Sequence, residues 1–116
     1  MTQALNAECV LTEQQMFDAK ERAKKVVRKL QKDKEARPYT EGIVTPFWDI
    51  LIGNPTSYRI DGYCELNFSF DWRRAKIEVN IFLRLDEDGA YHIEDKSMAI
   101  VSVPKKEPIV RDYSGL

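Results

Sequence analysis

The strongest constraint on this chain is a change of hydrophobic period at Tyr58. From there to Trp72 the apolar side chains Tyr58, Ile60, Cys64, Leu66, Phe68, Phe70 and Trp72 take even positions, and Arg59, Asp61, Glu65, Asn67, Ser69 and Asp71 take odd ones. Successive side chains on a strand point to opposite faces, so the pattern predicts one long strand with a buried face. Gly62 breaks the alternation and predicts a bulge or bend, because so long a strand is unusual in a small sheet.

A second alternating run follows Arg73-Arg74-Ala75-Lys76, with Ile77, Val79, Ile81, Leu83 and Leu85 inward. Pairing Trp72 with Ile77 sets Phe70 against Val79, Phe68 against Ile81 and Leu66 against Leu83, and it also places Glu65 opposite Arg84. The same register sets Asp71 against Glu78, a like-charge pair that counts against it. Asp86-Glu87-Asp88-Gly89 reads as a hairpin turn. It leads to a third strand, Ala90 to Glu94, and a fourth, Ser97 to Val103, stopped by Pro104.

Upstream the period is helical. Thr12 and Gln15 form a capping-box pattern, and Leu11 and Met16 sit where a hydrophobic staple closes the same turn. Met16, Ala19, Ala23, Val26, Val27 and Leu30 then recur at three- and four-residue intervals. They predict an amphipathic helix of about 24 residues, some ~36 Å long, ended by the restriction that Pro38 places on Arg37. Thr45 as N-cap, Pro46 in the first turn and Gly53 past the end predict a short second helix, carrying the apolar plug Phe47-Trp48-Asp49-Ile50-Leu51-Ile52.

These elements assemble into an α+β domain of two layers, with the long helix and the short one packed on a four-stranded antiparallel meander. Residues 12–103 form the domain, 1–11 an N-terminal arm and 104–116 an extended tail. The plan resembles that of cystatin-like and NTF2-like cones, whose motifs are not found in this sequence. At 116 residues, with 43% hydrophobic and 32% charged side chains, the chain can bury a continuous core.

Composition excludes several functions. No apolar run is long enough to span a bilayer, and the first eleven residues do not have the make-up of a signal peptide, so a cytoplasmic location without membrane contact is expected. Cys9 and Cys64 form no C-x-x-C pair, so they are expected as two reduced thiols, with no zinc site. The chain carries one histidine, His92, and no nucleophile elbow, phosphate-cradling loop or His-Glu-x-x-His. No catalytic residue, metal or cofactor is expected. His92 faces outward if the hairpin loop has five residues, which buries Tyr91 and Ile93 instead. Asp61 and Glu65 could flank a pocket as acid and base, although alternate polar residues on a strand ordinarily face water. Asp86, Asp88 and Gly89 lack the remaining ligands of a calcium loop.

Two surfaces remain. Between Lys20 and Arg37 nine basic residues stand against the three acids Glu21, Asp33 and Glu35, a surplus of six that leaves the rest of the chain seven negative for a net charge of −1. Lys20, Lys24, Lys25, Arg28, Lys29 and Lys32 form a basic helix ridge suited to an acidic protein or a phosphate backbone, where the plain alternative is a solvated helix face. Tyr63, Phe82 and Val101 are expected on the outer sheet face, which is too apolar to lie bare. The tail through Ile109, Val110 and Tyr113, a second copy in a homodimer, or another protein would cover it. The expected function is a small non-catalytic adaptor or inhibitor docking on a larger protein, with a make-up that also suits a phage or mobile-element protein. A nucleic-acid binder using the ridge is the first alternative, and a ligand binder or enzyme with a pocket between helix and sheet is the second.

Overall fold

The computed structural model describes residues 9–44 and 55–116. The expected helix from Thr45 to Gly53 lies outside these residues. Among those described, one long helix, α1 (Glu13–Lys32), and one short helix, α2 (Arg37–Thr40), accompany five strands. These are β1 (Thr56–Ile60), β2 (Tyr63–Trp72), β3 (Ala75–Leu85), β4 (Tyr91–Ser102) and β5 (Ile109–Tyr113), paired in that order in one antiparallel sheet. The architecture is α+β, with α1 lying over β3 and β4.

α1 starts as the capping box predicts. The Thr12 hydroxyl accepts from the Gln15 amide at 3.1 Å, and the Gln15 side chain accepts from the Thr12 amide at 2.8 Å. The helix ends before Pro38 is reached, after 20 residues rather than the expected 24. Asp33 stops it, because its carboxylate accepts from the amides of Glu35 and Ala36 and offers the backbone a competing partner. Pro38 then serves as an early residue of α2, where a missing amide hydrogen costs nothing.

The sheet has five strands instead of four, for three local reasons. Asp61 and Gly62 both take positive φ, at 22° and 77°, so what reads as one bent strand is a two-residue hairpin closed by Ile60 and Tyr63. The two short strands expected from Ala90 to Val103 are one, β4, with Glu94, Asp95 and Lys96 bulging opposite Phe82. The expected tail contains β5, which pairs Ile109 with Val101 and Tyr113 with Ser97.

The β2–β3 register differs from expectation by two residues, with Trp72 facing Ala75, Phe70 facing Ile77 and Leu66 facing Ile81. Arg73, at φ 57°, and Arg74 make a tighter turn than the sequence suggested. The tighter turn keeps every apolar pair on the same face and sets Asp71 opposite Lys76 rather than Glu78, which removes the like-charge conflict.

The core lies between α1 and the sheet, where Ala19, Ala23, Val26, Val27 and Leu30 meet Leu66, Phe68, Ile77, Val79, Ile81 and Leu83. Ala99 and Val101 of β4 are fully buried in the same cluster. Cys9 and Cys64 are not reduced thiols but a disulfide, with Cα atoms 6.0 Å apart across 55 residues. The bond fastens the segment before α1 to the start of β2, and the Cys9 amide donates to Ser57 Oγ of β1 at 3.3 Å.

At the opposite end, the Arg111 guanidinium of β5 reaches Asp33 at 2.7 Å and also binds Glu35. This ties the last strand to the end of α1. Among the described residues, the buried hydroxyls of Ser97 and Tyr113, which are partners in the β4–β5 register, have no hydrogen-bond partner. Burial raises the Tyr113 pKa.

Candidate interaction surfaces

The outer sheet face carries the larger apolar surface. A two-residue hairpin pairs an even-numbered residue with an odd-numbered one, so the face parity of the sequence reverses at Asp61-Gly62. Tyr58 and Ile60, which share their number parity with the buried residues of β2, therefore stand outside beside Tyr63. Tyr58 is 50% exposed, Ile60 55% and Tyr63 38%. The signal was in the sequence as an Asp-Gly pair between apolar residues, the usual mark of such a hairpin.

Tyr63 and Phe82 lie where the sequence placed them, diagonal neighbours on β2 and β3. Val101 does not. It pairs with Ile77 beneath the helix, and Met98 and Ile100 point outward in its place. All four residues from Met98 to Val101 are apolar, so hydropathy could not choose a face. Ser97, Ala99 and Val101 are the fully buried ones, beneath the helix layer that packs on β4, and they follow one another by the period of two.

Tyr63, Phe82 and Met98, with Glu94 and Lys96 on the rim, line a shallow cleft of about 270 Å³. Arg84 borders it. Its guanidinium sits 5.5 Å from the Tyr63 ring centre, donates to the Tyr63 hydroxyl at 3.2 Å and pairs with Glu94 at 3.2 Å. Such a planar cation can hold an aromatic ring at a fixed tilt without closing the cleft. Asn67 donates its side-chain amide to the Asn80 Oδ1 at 2.7 Å across the centre of the face.

The helix ridge divides in two. Lys25, Arg28, Lys29 and Lys32 are exposed, and among the described residues none of them makes an ion pair. Lys24 pairs with Glu21 at 2.8 Å, and Lys20 lines a separate shallow cleft with Glu13, Met16, Phe17, Glu21 and Lys24. The six basic residues thus present one free group of four and one partly neutralised flank.

The carboxylates singled out from the sequence are set apart from the clefts among the described residues. Asp61 occupies the β1–β2 turn, Glu65 lies on the outer face between Tyr58 and Phe82, and neither lines a described cleft. Asp33 is held below the usual carboxylate range by the Arg111 hydrogen bond, and Asp86 by the amide of Ala90 and by His92. A general acid needs the opposite shift. His92 faces outward beside Arg84, with Tyr91 and Ile93 packed against the core, as a five-residue loop requires. Phe68 and Phe70 are core residues, and Trp72 donates its indole N–H to the Glu41 carbonyl at 2.8 Å.

Among the described residues no cluster of His, Cys, Asp and Glu could hold a metal ion, and no helix is long and apolar enough to cross a membrane. No family model matches the chain, and no curated protein and no solved structure matches it either.

Proposed function

We propose that this chain is a non-catalytic binding protein, an adaptor or inhibitor, that docks on a larger protein through its outer sheet face. The observation that carries the reading is the row Ile60, Tyr58, Tyr63, Phe82 and Met98, which runs over four strands and keeps its outer end half-exposed. Aromatic and methionine side chains bordered by Arg84, Glu94 and Lys96, with Glu65 between Tyr58 and Phe82, are the make-up of an interface centre with a polar margin. Extended apolar surface of this kind on a small domain ordinarily meets a partner. The α+β architecture by itself supports no particular function.

The free cations Lys25, Arg28, Lys29 and Lys32 favour a second reading, nucleic-acid binding by the opposite side of the molecule. That reading predicts an affinity whose logarithm falls linearly with the logarithm of salt concentration. The cystine favours an oxidising compartment over the cytoplasm expected from the sequence. Alkylation of the chain in intact cells, followed by reduction and a second label, reads which of the two applies.

The deciding experiment compares three tagged chains in quantitative pull-down: the native one, Phe82→Glu with Met98→Glu, and Lys25, Arg28, Lys29 and Lys32 all changed to Glu. Docking by the sheet face predicts one protein retained by the native and ridge-altered chains and lost from the face-altered chain. Retention by the face-altered chain with loss from the ridge-altered one transfers the function to the helix, and co-purifying nucleic acid identifies the second reading.

A further inference from the structure

β1 is an edge strand of the sheet. In a hairpin closed by Ile60 and Tyr63, the backbone groups of Ile60, Tyr58 and Thr56 turn toward β2, and those of the alternate residues Ser57 and Arg59 turn out to the edge of the sheet. Edge strands are normally guarded by charge, proline, bulges or a covering element. β1 has no proline or bulge and a single charge, Arg59, and among the described residues nothing pairs with its rim. The other edge strand, β5, carries Arg111 and Asp112 and is preceded by Lys105, Lys106 and Glu107.

We propose that two copies of this chain associate by antiparallel pairing of their β1 strands about a two-fold axis at Tyr58. The inference goes beyond the docking reading and does not depend on it. In this register Ser57 of each copy faces Arg59 of the other, so the residues with outward backbone groups meet and exchange both N–H···O=C bonds at each of two equivalent positions. A shift of one residue breaks that match, because Tyr58 and Thr56 already spend their groups on β2. Arg59 meets a serine and not its own copy, so the one charge on the strand opposes no like charge directly. Tyr58 meets Tyr58 of the second copy as a closely spaced pair on the outer face, and Thr56 meets Ile60. The half-exposed Tyr58 and Ile60 are thereby covered from the side, and the apolar rows of the two copies become one surface. Five residues from each chain bury less than the ~1,200 Å² of a standard interface, which puts the contact in the class of weak, reversible associations.

Sedimentation equilibrium of the full chain, with its cystine intact, tests this across the micromolar range. The mass is expected to rise from 13.5 kDa toward twice that value. Arg59→Pro removes one rim N–H and leaves the β1–β2 ladder complete, so it is expected to hold the mass at that of the monomer with unchanged circular dichroism. Tyr58→Cys is expected to cross-link two chains on mild oxidation, whereas Thr56→Cys in the same strand is not. Should Arg59→Pro disturb folding, this cysteine pair still reads the register. A monomeric mass at every concentration overturns the proposal, whether the rim lies open or is taken by the chain's own first residues. A dimer that survives Arg59→Pro with its fold intact, or that cross-links through Thr56→Cys and not Tyr58→Cys, overturns it equally.

Discussion

The two ends of the sheet are secured by different physics. β1 is held through a covalent bond, since Cys64 lies beside it on β2 and Cys9 reaches its Ser57, while its own backbone rim carries almost no charge. β5 has no covalent tie. It is held by Arg111, whose guanidinium bridges Asp33 at the end of α1 and Glu35 just beyond. The contrast teaches that fastening a strand and guarding its edge are separate tasks. A cystine does the first without the second, because it leaves the outward N–H and C=O groups as they were, whereas the charges around β5 serve both.

The largest way to break the comparison is to open the cystine. Closing a loop of 55 residues restricts the unfolded chain by about 4 kcal/mol in the chain-entropy description, so Cys9→Ala with Cys64→Ala is expected to lower the urea-unfolding free energy by roughly that amount. Hydrogen exchange should then show β1 amides losing protection before those of β5. An equal loss in both strands would mean that the bond holds the whole domain and not one end.

The next effect belongs to the other end. Asp33→Ala removes the acceptor for the amides of Glu35 and Ala36 as well as the main partner of Arg111, and is expected to cost about 1 kcal/mol in the same assay. Acid sharpens the point. The pKa of Asp33 in the fold lies below its ordinary value of about 3.9, so its stabilising contribution is complete above that pH and is lost as pH falls through the lower folded value. Exchange measured on descending pH should find β5 loosening below about pH 4 while the cystine, which does not titrate, keeps its hold on the β1 end.

A gain of similar size is expected from Ser97→Ala, which removes from the β4–β5 pair a buried hydroxyl that has no partner among the described residues, and should raise stability by about 1 kcal/mol. The smallest effect is that of Lys96→Ala. Its ammonium lies 4.0 Å from Asp112 with both side chains exposed, so no measurable change in Tm is expected, and a clear drop would show that charge on the outer face also holds β5.

What could be read in the sequence was what is decided locally. The start of α1 was legible because a capping box is four adjacent residues acting on their own backbone. The apolar sets of β2 and β3 were legible because alternation survives a register shift of two. Val101 was misplaced because an all-apolar stretch has no period, and the layer it packs beneath is a helix whose buried alanines, Ala19 and Ala23, lie about eighty residues away in the chain. The cystine was missed because spacing along the chain says nothing of the hairpin that carries Cys64 toward the segment before α1. On the candidate surface Tyr63 and Phe82 were found, and Tyr58 and Ile60 were lost to a turn read as a bend.

That turn has a consequence for how such a surface can change over time. Its two residues set the register that decides which half of β1 is seen from outside, so one amino acid inserted between Ile60 and Asp61, with the two-residue turn kept, would exchange the halves without altering any residue of the strand. Ser57 and Arg59 would then look outward, and Tyr58 and Ile60 would look toward the helix layer. A lineage could gain or lose its greasy outer margin through a single codon of length, and comparison of substitutions alone would never register the event.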